Sequence, residues 1–228
     1  MTLLIETLGR VADLGGPVVM ILLAMSLVAV ALILAKLWQF LRLGVGRHGA
    51  LETALDDWDL GAEARACAGA AAAPSHLAGI AVVALRAAGD AGRDDGALRA
   101  RLTGMAGQRL ARLSSGLRLL DSVAQVAPLL GLFGTVLGMI EAFQGLQAAG
   151  AAVDPSALAG GIWVALLTTA VGLAVAMPAS LVLTWFDARI EREARMAERI
   201  IDTALCGGLT AGGRPAAAPA AGRAAVHA

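Results

Sequence analysis

Thr135, Thr168 and Thr169 stand inside long apolar runs that contain no Asp, Glu, His, Lys or Arg. A threonine hydroxyl donates and accepts hydrogen bonds but carries no proton charge at neutral pH. Thr135 has Gly131 and Gly138 one turn to either side, and Thr169 lies between Ala165 and Gly172. Hydroxyls on such small, close-approach faces can line a narrow polar path and meet water or a carboxylate. The plainer alternative is a hydroxyl satisfied by the carbonyl one turn back in its own helix. Ionisable residues inside a membrane usually mark ion and proton paths. Here Asp121 and Glu141 stand only at the two ends of their apolar run. If protons pass these threonines, the titrating acid must come from another chain.

The elements that must position them are membrane helices. Of the 228 residues, 58% are hydrophobic and 16% charged, with a mean hydropathy of +0.73. A soluble domain carries about a quarter charged residues. A bilayer core of about 30 Å needs roughly 20 apolar residues in a helix. Three runs meet that length, and the sequence predicts an all-α membrane protein with transmembrane helices over 16–37, 121–141 and 160–185. Long cytoplasmic helical extensions are expected from them.

The orientation follows from the cations. Between Lys36 and Arg118 lie 11 of the 18 Lys and Arg, six more follow Phe186, and 142–159 has none. Residues 1–15 and the loop 142–159 are therefore expected on the outer side of the membrane. The helical loop 38–120, the helix 186–206 and the C-terminus are expected in the cytoplasm. Trp38 and Trp185 fall at the inner ends of the first and third spans, the level that indole prefers. The N-terminus lacks the basic start and small-residue cleavage site of a secretory signal, and its first apolar run is long enough to remain as an anchor.

Small residues recur at spacings of three and four: Gly131, Gly134 and Gly138 in the second span, Gly161, Ala165 and Gly172 in the third. Such stripes let helix backbones approach closely in lipid. Contact between subunits is weighed above packing inside one subunit, because the first span has few small residues and reads as lipid-facing. Pro128 and Pro178 each remove a backbone donor and are expected to kink their helices.

From Leu51 to Leu120 the chain reads as helices separated at Gly61, Pro74 and the stretch around Gly89–Gly96. Asp94 or Asp95 is placed to cap the last of these, and that helix is expected to run directly into the second span. After the third span, Ile190, Ala194, Ala197, Ile201 and Leu205 share an apolar face, and Glu191 with Arg195 makes an i,i+4 pair. The tail 207–228 is low in complexity and expected to be disordered. Cys67 and Cys206 lie far apart without metal spacing. His48, His76 and His227 are scattered and suggest no ligand cluster. The sequence thus points to no metal and no cofactor. A zero net charge argues against nucleic acid as partner. With no nucleophile–base pair or phosphate loop, an enzyme is not expected.

The runs APLLGLFGTVLGMIEAF (Ala127 to Phe143) and GGIWVALLTTAVGLAVAMPA (Gly160 to Ala179) resemble the signature helices of the MotA/TolQ/ExbB proton-channel family. The first span is similar to that of its ExbB/TolQ branch. The resemblance implies a pentameric homo-oligomer in the bacterial inner membrane, around a dimer of a single-span ExbD/TolR-like partner that brings an aspartate. A TonB-like protein is a further partner it implies, with membrane lipids around the whole. It implies that Thr135 and Thr169 are pore threonines, with Thr168 beside them. One departure stands out: ExbB and TolQ proteins usually carry a glutamate five residues before the third-span threonine, and here that position is Val164.

Two functions follow as expectations. One is a proton-channel or motor subunit that uses the proton motive force to energise TonB- or Tol-type transport across the envelope. The other, motivated by Val164 and the lack of any membrane carboxylate, is a non-conducting membrane scaffold of the same fold.

Overall fold

The structure is a computed structural model that describes residues 2–90, 92, 94–149 and 155–206. The predicted tail 207–228 and the middle of the loop 142–159 lie outside the described residues. Among them every regular element is an α-helix, seven in all: α1 (Thr2–Arg42), α2 (Gly49–Asp59), α3 (Glu63–Ala72), α4 (Ala78–Ala88), α5 (Asp95–Ser114), α6 (Leu117–Ala149) and α7 (Pro155–Cys206). The all-α fold class is as expected. Three stretches are long and apolar enough to cross a membrane: Gly16–Arg42, Leu117–Gln147 and Leu158–Cys206.

The chain divides into two compact units, Met1–Arg42 with Ala111–Glu191, and Leu43–Leu110 with Arg192–Ala228. The first unit is a three-helix bundle. Val18 and Leu22 of α1 pack with Ala127 of α6 and Ala176 of α7. Further along, Ala29 meets Leu120, Val123 and Ala179. Phe40 of α1 stands edge-on to Phe186 of α7, with ring centroids 5.0 Å apart. Only 22% of each span's apolar window is buried within the chain. Leu27, Leu129, Leu166 and Leu181 are among the large side chains left pointing outward. Lipid or other subunits must cover them, since water would leave a large apolar area exposed.

Two breaks in this unit were not anticipated. Gly16 interrupts α1 with φ 64° and ψ −164°. Only glycine takes such a φ at little cost, and Pro17 after it excludes the α region for its neighbour. Proline is also pre-organised for the first turn of the helix that follows. The second break corrects the expectation that the helix ahead of the second span runs straight into it. α5 stops at Ser114, and Gly116 turns the chain with φ 81° before α6 begins. The C-terminal end of α5 is tied to α1. Lys36 Nζ donates to the Leu113 carbonyl at 3.1 Å and to Gln39 Oε1 at 2.8 Å, while Gln39 Nε2 donates to the Arg112 carbonyl at 3.4 Å. The last carbonyls of a helix lack intrahelical donors, and two α1 side chains supply them here.

The second unit packs α2, α3, α4, part of α5 and the end of α7 around one core. Leu51, Leu55, Leu77, Ile80, Leu85, Leu102 and Ile200 are essentially inaccessible to solvent. The breakers at Gly61 and Pro74 end α2 and α3 as expected, and Gly61 has φ 78°. Asp94 caps α5: its Oδ1 accepts from the Gly96 N–H at 2.9 Å and the Ala97 N–H at 3.2 Å. Cys67 and Cys206 are free thiols.

Candidate functional site

The small-residue stripes of α6 and α7 meet each other, in antiparallel order, inside one chain. A Cβ added at Gly161 would lie 2.7 Å from the Cβ of Ala142, and one at Gly138 would lie 3.0 Å from the Cβ of Ala165. One at Gly131 would come within 3.1 Å of the Thr168 carbonyl oxygen and the Thr169 Cα, and one at Gly172 within 2.7 Å of the Ala127 carbonyl oxygen. The preference for contact between subunits is therefore corrected. The glycines are consumed by the seam between two consecutive helices, which bring matching spacings together.

That seam positions the threonines. Thr169 is half-buried, and its hydroxyl donates to the Gly131 carbonyl at 3.1 Å. Thr135, one turn along α6 from Gly131, is also half-buried, with its hydroxyl on the Leu132 carbonyl at 2.6 Å. Thr168 differs from both. It is 3% exposed, with Oγ1 2.7 Å from the Ala165 carbonyl and 3.2 Å from that of Gly131. A Cβ at Gly134 would stand 2.6 Å from that Oγ1, so the glycine makes the space it occupies. Thr168 thus ties the two helices together, while Thr135 and Thr169 keep part of their surface open.

Pro128 and Pro178 lie inside α6 and α7, each leaving a carbonyl one turn back without its helical donor. Val164 is half-buried and Trp163, beside it, is 65% exposed. The seam offers donors, acceptors and close backbone approach. It has no group able to hold a proton charge, so an ion moving along it must be carried by water or by an acid from elsewhere.

A second polar cluster, in the other unit, corrects the reading of the histidines as scattered. Glu193 of α7 is completely buried. His48 Nε2 lies 3.1 Å from its Oε1, and His76 Nδ1 lies 3.5 Å from its Oε2. The buried face of this part of α7 runs through Glu193, Met196, Ala197, Ile200, Ile201 and Ala204. Glu193 stands three and four residues before Met196 and Ala197, and a carboxylate on an apolar stripe is the signal that marks it. Burial, Arg109 and His48 together push the His76 pKa down to about 4. Among the described residues no group of His, Cys, Asp and Glu is arranged to hold a metal ion.

The family description "MotA/TolQ/ExbB proton channel family" matches residues 72–199. Over 80 residues the chain is 48% identical to biopolymer transport protein exbB1 of Vibrio cholerae, covering 33% of this chain and 35% of that protein. Over 84 residues it is 42% identical to the Tol-Pal system protein TolQ of Pseudomonas aeruginosa, covering 35% of this chain and 34% of that one. An ExbB-like protein of Synechocystis is 41% identical over 86 residues, covering 37% and 34%. The matched stretch thus spans about a third of each relative's length.

Proposed function

From the premise that this chain belongs to the MotA/TolQ/ExbB proton channel family, we propose that it is the wall-forming subunit of a proton-driven complex in the bacterial inner membrane. The observation that carries this reading is the pair of half-buried hydroxyls, Thr135 and Thr169, on a close-packed seam, with Asp121 and Glu141 only at the two ends of the second span and no acidic residue in the interior of any span. Polar side chains that accept hydrogen bonds but no charge suit a passage along which another molecule carries the proton.

In this reading the chain assembles as a homo-oligomer, a pentamer by family likeness, around an ExbD/TolR-like single-span partner whose membrane aspartate titrates. The complex energises TonB- or Tol-type transport across the envelope, through a TonB-like protein in the first case. Residues 1–15 and 142–159 face the periplasm; 38–120, 186–206 and the tail 207–228 face the cytoplasm. The outward apolar faces of all three spans meet lipid and neighbouring copies.

The test is proton flux through the purified complex with its partner in vesicles. Thr169→Val should lower the flux while the complex still assembles. Equal flux would remove that threonine from the path. A second reading, a non-conducting scaffold, is favoured by Val164 where ExbB and TolQ proteins usually carry glutamate. It predicts stable assembly whose downstream effect is indifferent to collapse of the proton gradient.

A further inference from the structure

The carboxylate of Glu193 gathers two histidines that come from separate connections. His48 precedes α2, and His76 lies between α3 and α4. Those two connections also touch directly: a Cβ at Gly44, whose φ is 63°, would collide with the Pro74 carbonyl oxygen. On the far side, an Arg109 guanidinium N–H of α5 donates to the His76 carbonyl. Gly79 leaves room for that guanidinium, since a Cβ there would stand 2.8 Å from Arg109 Nη2. The side chains of Glu193 and His76 are 0% and 7% exposed, and that of His48 is 19% exposed.

We infer that His48, His76 and Glu193 form an acid-sensitive clasp, which holds the 43–48 and 73–77 connections onto α7 and releases them when His76 must take up a proton. The inference does not depend on what α6 and α7 conduct. A proton on His76 would place positive charge in a buried site that already faces the Arg109 guanidinium and the second histidine.

Several charges of the surrounding helices pair with one another. Glu52 and Asp56 of α2 face Arg199 at 3.8 and 3.7 Å, Asp57 faces Arg65 at 3.5 Å, and Arg99 of α5 pairs with Asp202. The sign follows from linkage. With His76 depressed to about 4 in the closed cluster against 6.5 when free, the closed form binds fewer protons than the open one. Closing is unaffected above the free value, is progressively disfavoured as pH falls below it, and stops changing below the closed value. From pH 7.5 to 5.5 the open population should grow about tenfold.

Hydrogen exchange of the full chain in detergent or nanodiscs reads this, with rates corrected for the intrinsic effect of pH. In the wild type, amides of 43–48 and 73–77 should open about tenfold more at pH 5.5 than at 7.5, while the α2 core around Leu51 and Leu55 changes less. His76→Gln, which cannot be protonated, should abolish the acid response. An acid response that persists in His76→Gln, or none in the wild type, overturns the inference. If His76→Gln does not fold, the imidazole of the wild type can be titrated by NMR. His76 still neutral at pH 5.5 supports the clasp, and protonation near the free value overturns it.

Discussion

The hydroxyl of Thr169 reaches across from α7 to the carbonyl of Gly131 on α6, at 3.1 Å. The contact exists because Gly131 has no side chain to hold the helices apart, and because Gly172 repeats that absence one turn along α7. The seam is thus both the packing core of the first unit and the polar surface that the functional reading uses. Substitutions that affect packing must be separable from those that affect the path.

The packing side is tested at Gly172. A methyl group there meets the Ala127 carbonyl oxygen at 2.7 Å and the Gly131 Cα at 3.0 Å, both backbone atoms that cannot swing away. Gly172→Ala should destabilise the folded chain by about 1–3 kcal/mol, the usual cost of overpacking. Gly145→Ala, where nothing lies within 4 Å, should instead be neutral or gain up to about 1 kcal/mol from helix propensity. Thermal unfolding in detergent followed by circular dichroism compares the two.

The three threonines should divide by phenotype. Thr168 is buried with its hydroxyl between two carbonyls. Thr168→Val should cost about 1 kcal/mol of stability, seen as a lower unfolding midpoint. Thr135→Val and Thr169→Val should leave that midpoint closer to wild type and lower proton flux by about threefold to tenfold, the worth of one hydrogen bond. Unfolding and vesicle flux measured on all three variants check the division.

Lys36 is the only lysine of the chain and is 7% exposed. Its ammonium closes the end of α5 through the Leu113 carbonyl. Lys36→Met keeps the apolar stem and removes the donor, leaving a buried carbonyl unpaired at about 1–3 kcal/mol. Hydrogen exchange should then quicken in the last turn of α5, and a protection pattern identical to wild type would refute the capping role.

Gly116 supplies the turn that this cap secures. Its φ of 81° suits glycine, whereas the space around it is ordinary: an added Cβ would meet Lys36 Cε at 3.5 Å. Gly116→Ala should therefore cost about 1–2 kcal/mol through backbone strain alone, read as a shift in the unfolding midpoint without loss of assembly.

The parts of the molecule that local sequence patterns reveal are those whose cause is local. The three spans follow from runs of apolar residues, and the ends of α2, α3 and the start of α5 from Gly61, Pro74 and Asp94. Gly16–Pro17 and Ser115–Gly116 were also locally written, but each lies at the margin of a strong apolar or helical pattern that hides a single break. The seam between α6 and α7 was legible as two stripes, yet which stripe meets which depends on the tertiary pairing. The His48–Glu193–His76 cluster was illegible for the same reason. Its members come from three separate parts of the chain, and only the packing of α7 beside the 43–48 and 73–77 connections brings them together.

The central claim is that this chain forms a wall without its own proton carrier, and that the acid comes from a partner. The most direct measurement is proton uptake by vesicles under an imposed potential, with this chain alone and with a single-span partner carrying a membrane aspartate. The account predicts background uptake for the chain alone, clear uptake with the partner, and a return to background when the partner's aspartate becomes asparagine. Sustained uptake by the chain alone would contradict it.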